Sequence, residues 1–166
     1  HRDLHSFPTR RSSDLIGKPW QVFWHENCYM GVDCLGICKY HTTFLGATLP
    51  NFEDWSKVLY YNTGLQMTPK EIWEVAERCN NMERLFNLRE GLSKDDPEKG
   101  DVLNPRYHTE PTRRGAPDAI GRVIEKDKWL QMRGECYEHK GWDQNGVPKP
   151  ETLKRLGIDH EPSHLV

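Results

Sequence analysis

The sequence lacks any apolar run close to the roughly 18–20 residues that a bilayer-spanning helix needs, so no segment of it reads as a membrane helix. It also lacks a strong charge of one sign. A formal net charge of −2 and a pI near 6.5 give no general pull toward nucleic acid or an anionic membrane, and neither is expected as a partner. No CxxC pair is present, and five cysteines are an odd number with no secretory signal before them. A disulfide framework is therefore not expected; reduced thiols or metal ligands in a cytoplasmic setting are. Alternating strand patterns, internal repeats and low-complexity tracts are missing as well. What is present argues for a packed fold: six Trp, six Tyr and five Phe are too many large apolar anchors for a disordered chain, and 166 residues fit one ordinary domain.

The first fifteen residues have no initiating Met, no apolar h-region and no helical or strand periodicity. The stretch His5–Leu15 resembles the translation of a DNA-sequencing adapter. Residues 1–15 are expected to be an artefact without ordered structure, or else a natural disordered tail, ahead of a domain over 16–166. Setting aside three arginines and two aspartates there moves the net charge from −2 to −3.

The remainder predicts an all-α domain. Pro19 suits the first turn of a helix in which Trp20, Phe23, Trp24 and Cys28 recur at 3–4 spacing, ending near Gly31. The segment Asp33 to His41 reads as a loop or a bent junction. Asn51 is a good N-cap with Asp54 at N3; Phe52, Trp55, Val58 and Leu59 form a stripe, and Gly64 can close the helix. Thr68-Pro69-Lys70-Glu71 combines a capping box with Pro at N1. It opens the longest helix, 69–89, with Ile72, Val75, Ala76, Cys79, Met82, Leu85 and Phe86 on one face. Residues 91–121 carry Pro97, Pro105, Pro111 and Pro117 and no periodicity. So long an irregular stretch is unusual inside a free-standing domain and suits a crossing loop laid over a partner surface, such as another domain of a larger enzyme. A helix near 125–140, with Ile124, Trp129, Met132, Cys136 and Tyr137 on one side, ends at Gly141. Turn chemistry follows at Asp143–Gly146, then a short helix from Pro150 to Leu156 stopped by Gly157.

Chemistry concentrates between Cys28 and His41. Three of the five cysteines fall within eleven residues there, flanked by His25 and His41. Thiolates are the soft ligands that zinc and iron–sulfur clusters take. The Cys-x5-Cys-x3-Cys spacing matches neither a zinc ribbon nor a bacterial ferredoxin, and small buried hydrophobes at Cys28 and Cys34 are the plainer reading. A structural zinc site on Cys28, Cys34, Cys38 and a histidine, in a small helical interaction domain, is the alternative from another class. The grouping Asp33-x-x-Gly36-x-Cys38 is more specific. Asp33 can accept hydrogen bonds from heterocycle N–H groups, Gly36 permits close backbone approach, and Cys38 offers one thiolate. One thiolate cannot hold a [4Fe–4S] cluster, so three further ligands would lie outside this segment.

Asp33-Cys34-Leu35-Gly36-Ile37-Cys38-Lys39 resembles the C-terminal DxxGxC motif of the aldehyde ferredoxin oxidoreductase family. Glu83-Arg84-Leu85-Phe86-Asn87-Leu88-Arg89-Glu90-Gly91 followed by Asp95-Asp96 resembles its ERxxNxREG…DD segment. Pro105-Arg106 sits where the family shows LPxR, with Asn104 in place of the usual spacing partner and Glu98-Lys99-Gly100 resembling an insertion. Gly141-Trp142-Asp143 and Gly146-Val147-Pro148 resemble the RGWD…GVP signature. The four matches come in order over most of residues 27–157.

The resemblance implies the C-terminal helical part of a tungsten, or molybdenum, bis-pterin enzyme that oxidises aldehydes to carboxylic acids and passes electrons through a [4Fe–4S] cluster to ferredoxin. A benzoyl-coenzyme A reductase-like catalytic subunit acting on an aryl-CoA is the alternative within the same family. It also implies that Cys38 is the cluster's fourth ligand, that Asp33 contacts the pterin, and that Gly36, Ile37 and Lys39 flank that contact. The other three cluster ligands and the acid/base residues would belong to missing N-terminal domains, and the fragment alone would be inactive. Plainer readings stand for other residues: hydrogen-bonded structural roles for His25 and His41, core packing for Cys79 and Cys136, an Arg89–Glu90 ion pair docking the loop, and a surface Arg113–Arg114 pair.

Overall fold

The computed structural model describes residues 17–42, 50–96, 100–114, 117 and 120–159. Residues 1–15 and the proposed insertion at Glu98 and Lys99 lie outside them. Among the described residues six α-helices follow one another: α1 Lys18–Leu35, α2 Phe52–Thr63, α3 Pro69–Arg89, α4 Arg106–Thr109, α5 Lys126–Lys140 and α6 Pro150–Leu156. Among the described residues there is no strand, apart from one isolated antiparallel bridge between Trp142 and Pro148. The domain is all-α.

Local chemistry fixes most of the boundaries. Thr68 accepts from the Glu71 N–H while the Glu71 carboxylate accepts from the Thr68 N–H, a reciprocal box that starts α3. Asn51 and Asp54 do the same for α2. α6 begins at Pro150 and ends at Gly157, as the spacing predicts.

α1 differs from expectation. It runs through Gly31 to Leu35, so Asp33 and Cys34 are helical rather than in a loop. A glycine inside a helix costs roughly 1 kcal/mol relative to alanine. Here tertiary packing prevails: the Phe52 and Trp55 rings of α2 lie against α1 at Gly31, at 3.4 and 3.5 Å from where a Cβ would stand, ordinary contact distances. The helix stops at Gly36, which takes the left-handed conformation (φ 66°). Its N–H donates to the Asp33 carbonyl, and the Ile37 N–H donates to the Val32 carbonyl, a Schellman ending.

α3 is the central element: α1, α2 and α6 pack on it, and α5 packs on α1. One apolar cluster (Trp24, Cys28, Val32, Trp55 and Ile72) gathers at its N-terminal half. Another (Leu85, Leu153, Leu156 and Ile158) gathers at its C-terminal half. Phe86, expected on the apolar stripe, is exposed instead. Buried polar side chains of α3 fill the space between the clusters. Glu77 takes a bidentate pair from Arg155 at 2.9 and 3.2 Å, and Asn81 accepts from the Trp142 indole N–H at 2.8 Å.

Arg84 is almost fully buried. It donates to the Gly146 carbonyl and to the Asp101 carboxylate, both at 2.7 Å, and lies 4.7 Å over the Trp142 ring. Tyr137 donates to the same carboxylate at 2.5 Å. Arg133 donates to the carbonyls of Lys94 and Asp101. The segment 91–121 is thus less structureless than its composition suggests. It contains α4, a two-bond closure between Thr112 and residues 121–122, and a firm clasp at Asp101. Arg89 pairs with Glu90 at 3.0 Å instead of docking this segment, and Arg113 and Arg114 are exposed as expected.

Burial alone would raise the Asp101 pKa, but hydrogen bonds from Tyr137 and Arg84, with the charges of Arg84 and Lys140, outweigh it and hold the carboxyl below its ordinary value. A lowered folded-state pKa gives stability that is complete above the unfolded value and is lost as pH falls through the folded one. Asp101→Asn is therefore expected to lower the denaturation midpoint at neutral pH, with the difference from the parent fading below about pH 4. Arg84→Ala, which strands that carboxylate and empties a buried slot, is expected to cost about 3 kcal/mol in urea unfolding of the full-length protein. A loss below about 1 kcal/mol would show the clasp to be incidental.

Candidate functional site

The residues singled out by sequence converge on one feature, the C-terminal turn of α1 and the extended segment after it. The Schellman ending reverses the chain at Gly36. Among the described residues, its chain neighbours aside, no atom lies within 4 Å of the position where a Cβ on Gly36 would stand, so the backbone is open to close approach from outside. Ile37 turns inward and packs on the first apolar cluster, pegging the segment to the core. Cys38 follows in extended conformation (φ −69°, ψ 124°), exposed, at the start of a single 3-10 turn over Lys39–His41. Thr42 closes that turn, its hydroxyl donating to the Lys39 carbonyl at 2.7 Å.

Asp33 and Lys39 face each other across the reversal, Nζ to Oδ2 at 2.8 Å, both substantially exposed. Lys39 also lies 5.1 Å above the Tyr29 ring, which comes from an earlier turn of α1. The result is a small exposed platform: a carboxylate, an ammonium, a bare glycine backbone and a thiol within one turn of chain. It offers hydrogen-bond acceptors to a heterocycle, positive charge to an anion, and one soft ligand to a metal.

The other cysteines have different surroundings. Cys28 is buried in the core, as its plainer reading holds. Cys34, also read as a small buried hydrophobe, is exposed, with its sulfur 3.6 Å from that of Cys79 on α3. Desolvation at that contact, the hydrogen bond with Cys79, and the charges of Cys79, Asp33 and Glu83 push the Cys34 thiol up to about 11. Cys136 is half-buried, and desolvation raises its pKa. His25 shares its Nδ1 with the Gln21 carbonyl at 2.9 Å; the His41 side chain lies outside the described residues. Cys28, Cys34 and Cys38 therefore point three ways. Among the described residues no three of His, Cys, Asp or Glu come close enough to hold a metal ion between them, so the zinc alternative is not assembled. The Cys34–Cys79 pairing was not legible in sequence, because 45 residues separate the two thiols.

Comparison with known proteins establishes the family. The family profile described as "Aldehyde ferredoxin oxidoreductase, domains 2 & 3" matches residues 4–158. The chain belongs to the aldehyde ferredoxin oxidoreductase family. Its relatives include the tungsten-containing aldehyde ferredoxin oxidoreductase of Pyrococcus horikoshii, 34% identical over 161 residues, covering 89% of this chain and 24% of that protein. The enzyme of the same name from Pyrococcus furiosus is 34% identical over 127 residues, covering 76% and 19%. An aliphatic sulfonate oxidoreductase, WOR-like subunit, of Pyrococcus furiosus is 30% identical over 132 residues, covering 76% and 19%. This family member thus spans about a quarter or less of these relatives' length.

The active-site complex BamBC of benzoyl coenzyme A reductase, solved with 1,5-dienoyl-CoA, shares the fold. It superposes with a TM-score of 0.64 at 20% identity, over 96% of this chain and 21% of that one. Among the described residues no helix is long and apolar enough to cross a membrane.

The raised Cys34 value has a direct consequence. In the reduced protein its alkylation by iodoacetamide is expected to quicken about tenfold per pH unit until near pH 11, followed by peptide mapping across a pH series. A plateau near 9.0, the ordinary thiol value, would contradict the contact with Cys79.

Proposed function

We propose that this chain is the C-terminal helical part of a tungstopterin oxidoreductase that converts aldehydes to carboxylic acids, and that the end of α1 is its cofactor-facing edge. Within that edge Cys38 serves as one ligand of a [4Fe–4S] cluster, Asp33 accepts hydrogen bonds from the pterin, and Gly36, Ile37 and Lys39 line the same surface. The residues present fit these groups. Cys38 is exposed on extended backbone with its side chain clear of the helix, and the other thiols nearby are engaged elsewhere, Cys28 in the core and Cys34 with Cys79. A single available thiolate matches a cluster whose remaining ligands come from another part of the full-length chain. The open space at Gly36 admits a flat ring against the backbone, and Asp33 and Lys39 offer an acceptor and a charge on either side of it.

The chemistry the bound groups supply is a two-electron oxidation in which water adds its oxygen to the aldehyde and the electrons leave one at a time toward ferredoxin. This chain's own residues bind and orient: Ile37 holds the segment's depth, the Asp33–Lys39 pair fixes its reversal, and Thr42 closes the turn behind Cys38.

The observation that supports this reading most is that Cys38 is exposed while Cys28 is in the core and Cys34 lies against Cys79, within the segment that resembles the family's DxxGxC motif. In the full-length enzyme Cys38→Ala is expected to lower iron content well below four per protein and to abolish electron transfer to ferredoxin, whereas Cys136→Ser is expected to leave iron unchanged. Full iron occupancy in the Cys38→Ala enzyme would remove the ligand assignment.

A further inference from the structure

We propose that Cys34 and Cys79 form a redox-modification site, a dithiol that closes reversibly into a disulfide stapling the last turn of α1 to the middle of α3. The two sulfurs already stand 3.6 Å apart, and a disulfide needs about 2.05 Å, so closure takes about 1.5 Å of side-chain adjustment. The helices that carry them pack directly against each other, so no rearrangement of the fold is needed to bring the sulfurs together. Access is suitable as well: Cys34 is exposed and Cys79 partly so, which lets a small oxidant arrive from solvent. Neither thiol belongs to the core cluster that holds Cys28. The charged groups facing Cys34 are the carboxylates of Asp33, on its own helix, and Glu83, on α3.

The oxidant class is a peroxide. Cys34, the more exposed sulfur, attacks one peroxide oxygen as its thiolate. The O–O bond breaks, an S–O bond forms, and the departing hydroxide takes a proton to leave as water. The Cys79 sulfur then displaces the sulfenic oxygen of Cys34, which leaves as a second water when the S–S bond forms. Two thiols lose two electrons and one hydrogen peroxide becomes two waters. A dithiol reductant reverses the step. The high proton affinity of Cys34, about 11, keeps its thiol protonated, so attack on peroxide is slow at neutral pH and closure answers to sustained peroxide.

The location gives the bridge a purpose. Cys34 lies between Asp33 and Gly36, so a covalent tie to α3 would fix the very turn that presents Asp33, Lys39 and Cys38. The site is independent of the cofactor reading, since neither sulfur is among the residues proposed to hold a cluster or a pterin.

The test uses the full-length enzyme, treated with a few equivalents of hydrogen peroxide, quenched with iodoacetamide and mapped with trypsin without reduction. Trypsin frees Cys79 on the peptide 79–84, where it is the sole cysteine, whereas Cys28, Cys34 and Cys38 share one longer peptide that fragmentation resolves. The expected result is a cross-linked pair joining Cys79 to Cys34, two hydrogens lighter than its parts, lost on dithiothreitol treatment. It should be absent from Cys34→Ser and Cys79→Ser and retained in Cys136→Ser. Recovery of Cys34 and Cys79 on separate alkylated or sulfinylated peptides would overturn the proposal, as would Cys79 bridged to Cys38. Iron content measured on the same samples reads the cluster assignment separately.

Discussion

The rest of the fold depends on a guanidinium kept out of water. Arg84 sits near the middle of the domain with its side chain 7% exposed, and burying such a charge costs several kcal/mol unless every donor is engaged. The structure engages the Arg84 Nε and one terminal nitrogen, and covers the guanidinium face, with groups from three separate stretches. The Gly146 carbonyl comes from the turn after α5, Asp101 from the crossing segment, and the Trp142 ring from the bridge beside α6. Gly146 itself has a left-handed φ of 73° and sits so close to Arg84 that a Cβ would collide with it. The glycine is thus required both by its conformation and by its neighbour. Removing Arg84 would not merely delete a contact. It would release the crossing segment, leave Asp101 half-buried without its charge partner, and unseat the turn that leads into α6.

This arrangement leaves α3 with two apolar halves and a polar waist. The N-terminal half carries α1 and α2, and the waist is tied to α6 by Glu77 and Arg155 and to the bridge at Trp142 by Asn81. α1 is held by α3 and by α5, whose His139 ring meets Trp20 and Phe23 and whose Lys140 pairs with Glu26 at 2.6 Å. Its last turn sets Val32 and Leu35 against the first apolar cluster and leaves Asp33 and Cys34 on the outer side. The candidate site lies there because the helix end offers donors, acceptors and a reversing glycine without disturbing the core, to which Ile37 returns.

How much of this was legible in sequence follows from how local each interaction is. The capping boxes at Asn51 and Thr68, and the Pro150–Gly157 helix, are encoded within four or five residues, and the structure reproduces them. The end of α1 is misread because Gly31 resembles a stop. The helix continues through it, packed against Phe52 and Trp55, and that packing is visible only when α2 is in place. Phe86 fits the stripe by spacing yet faces solvent, since the buried surface of α3 shifts toward Arg84 and Leu85 where α6 packs. The Asp101 clasp leaves no sequence signal at all: an acidic residue in a proline-rich stretch looks like solvated loop, and its partners lie 17 and 36 residues away.

The three clustered cysteines show the same logic at the site itself. A shared metal stays open as an alternative while residues 33–41 are read as a loop or bent junction, because a flexible chain can bring thiols together. Once α1 extends to Leu35 the angles decide otherwise. At about 100° per residue, Val32 repeats the face of Cys28 and enters the core with it, whereas Cys34, six residues on, is rotated by about 240° and faces Cys79. The Schellman reversal then sends Ile37 back inward, so its neighbour Cys38 must face out. Helix geometry alone therefore assigns the three sulfurs to core, helix–helix contact and open surface. The spacing that looked too irregular for one metal site is the spacing that sets Cys38 apart from the other two sulfurs.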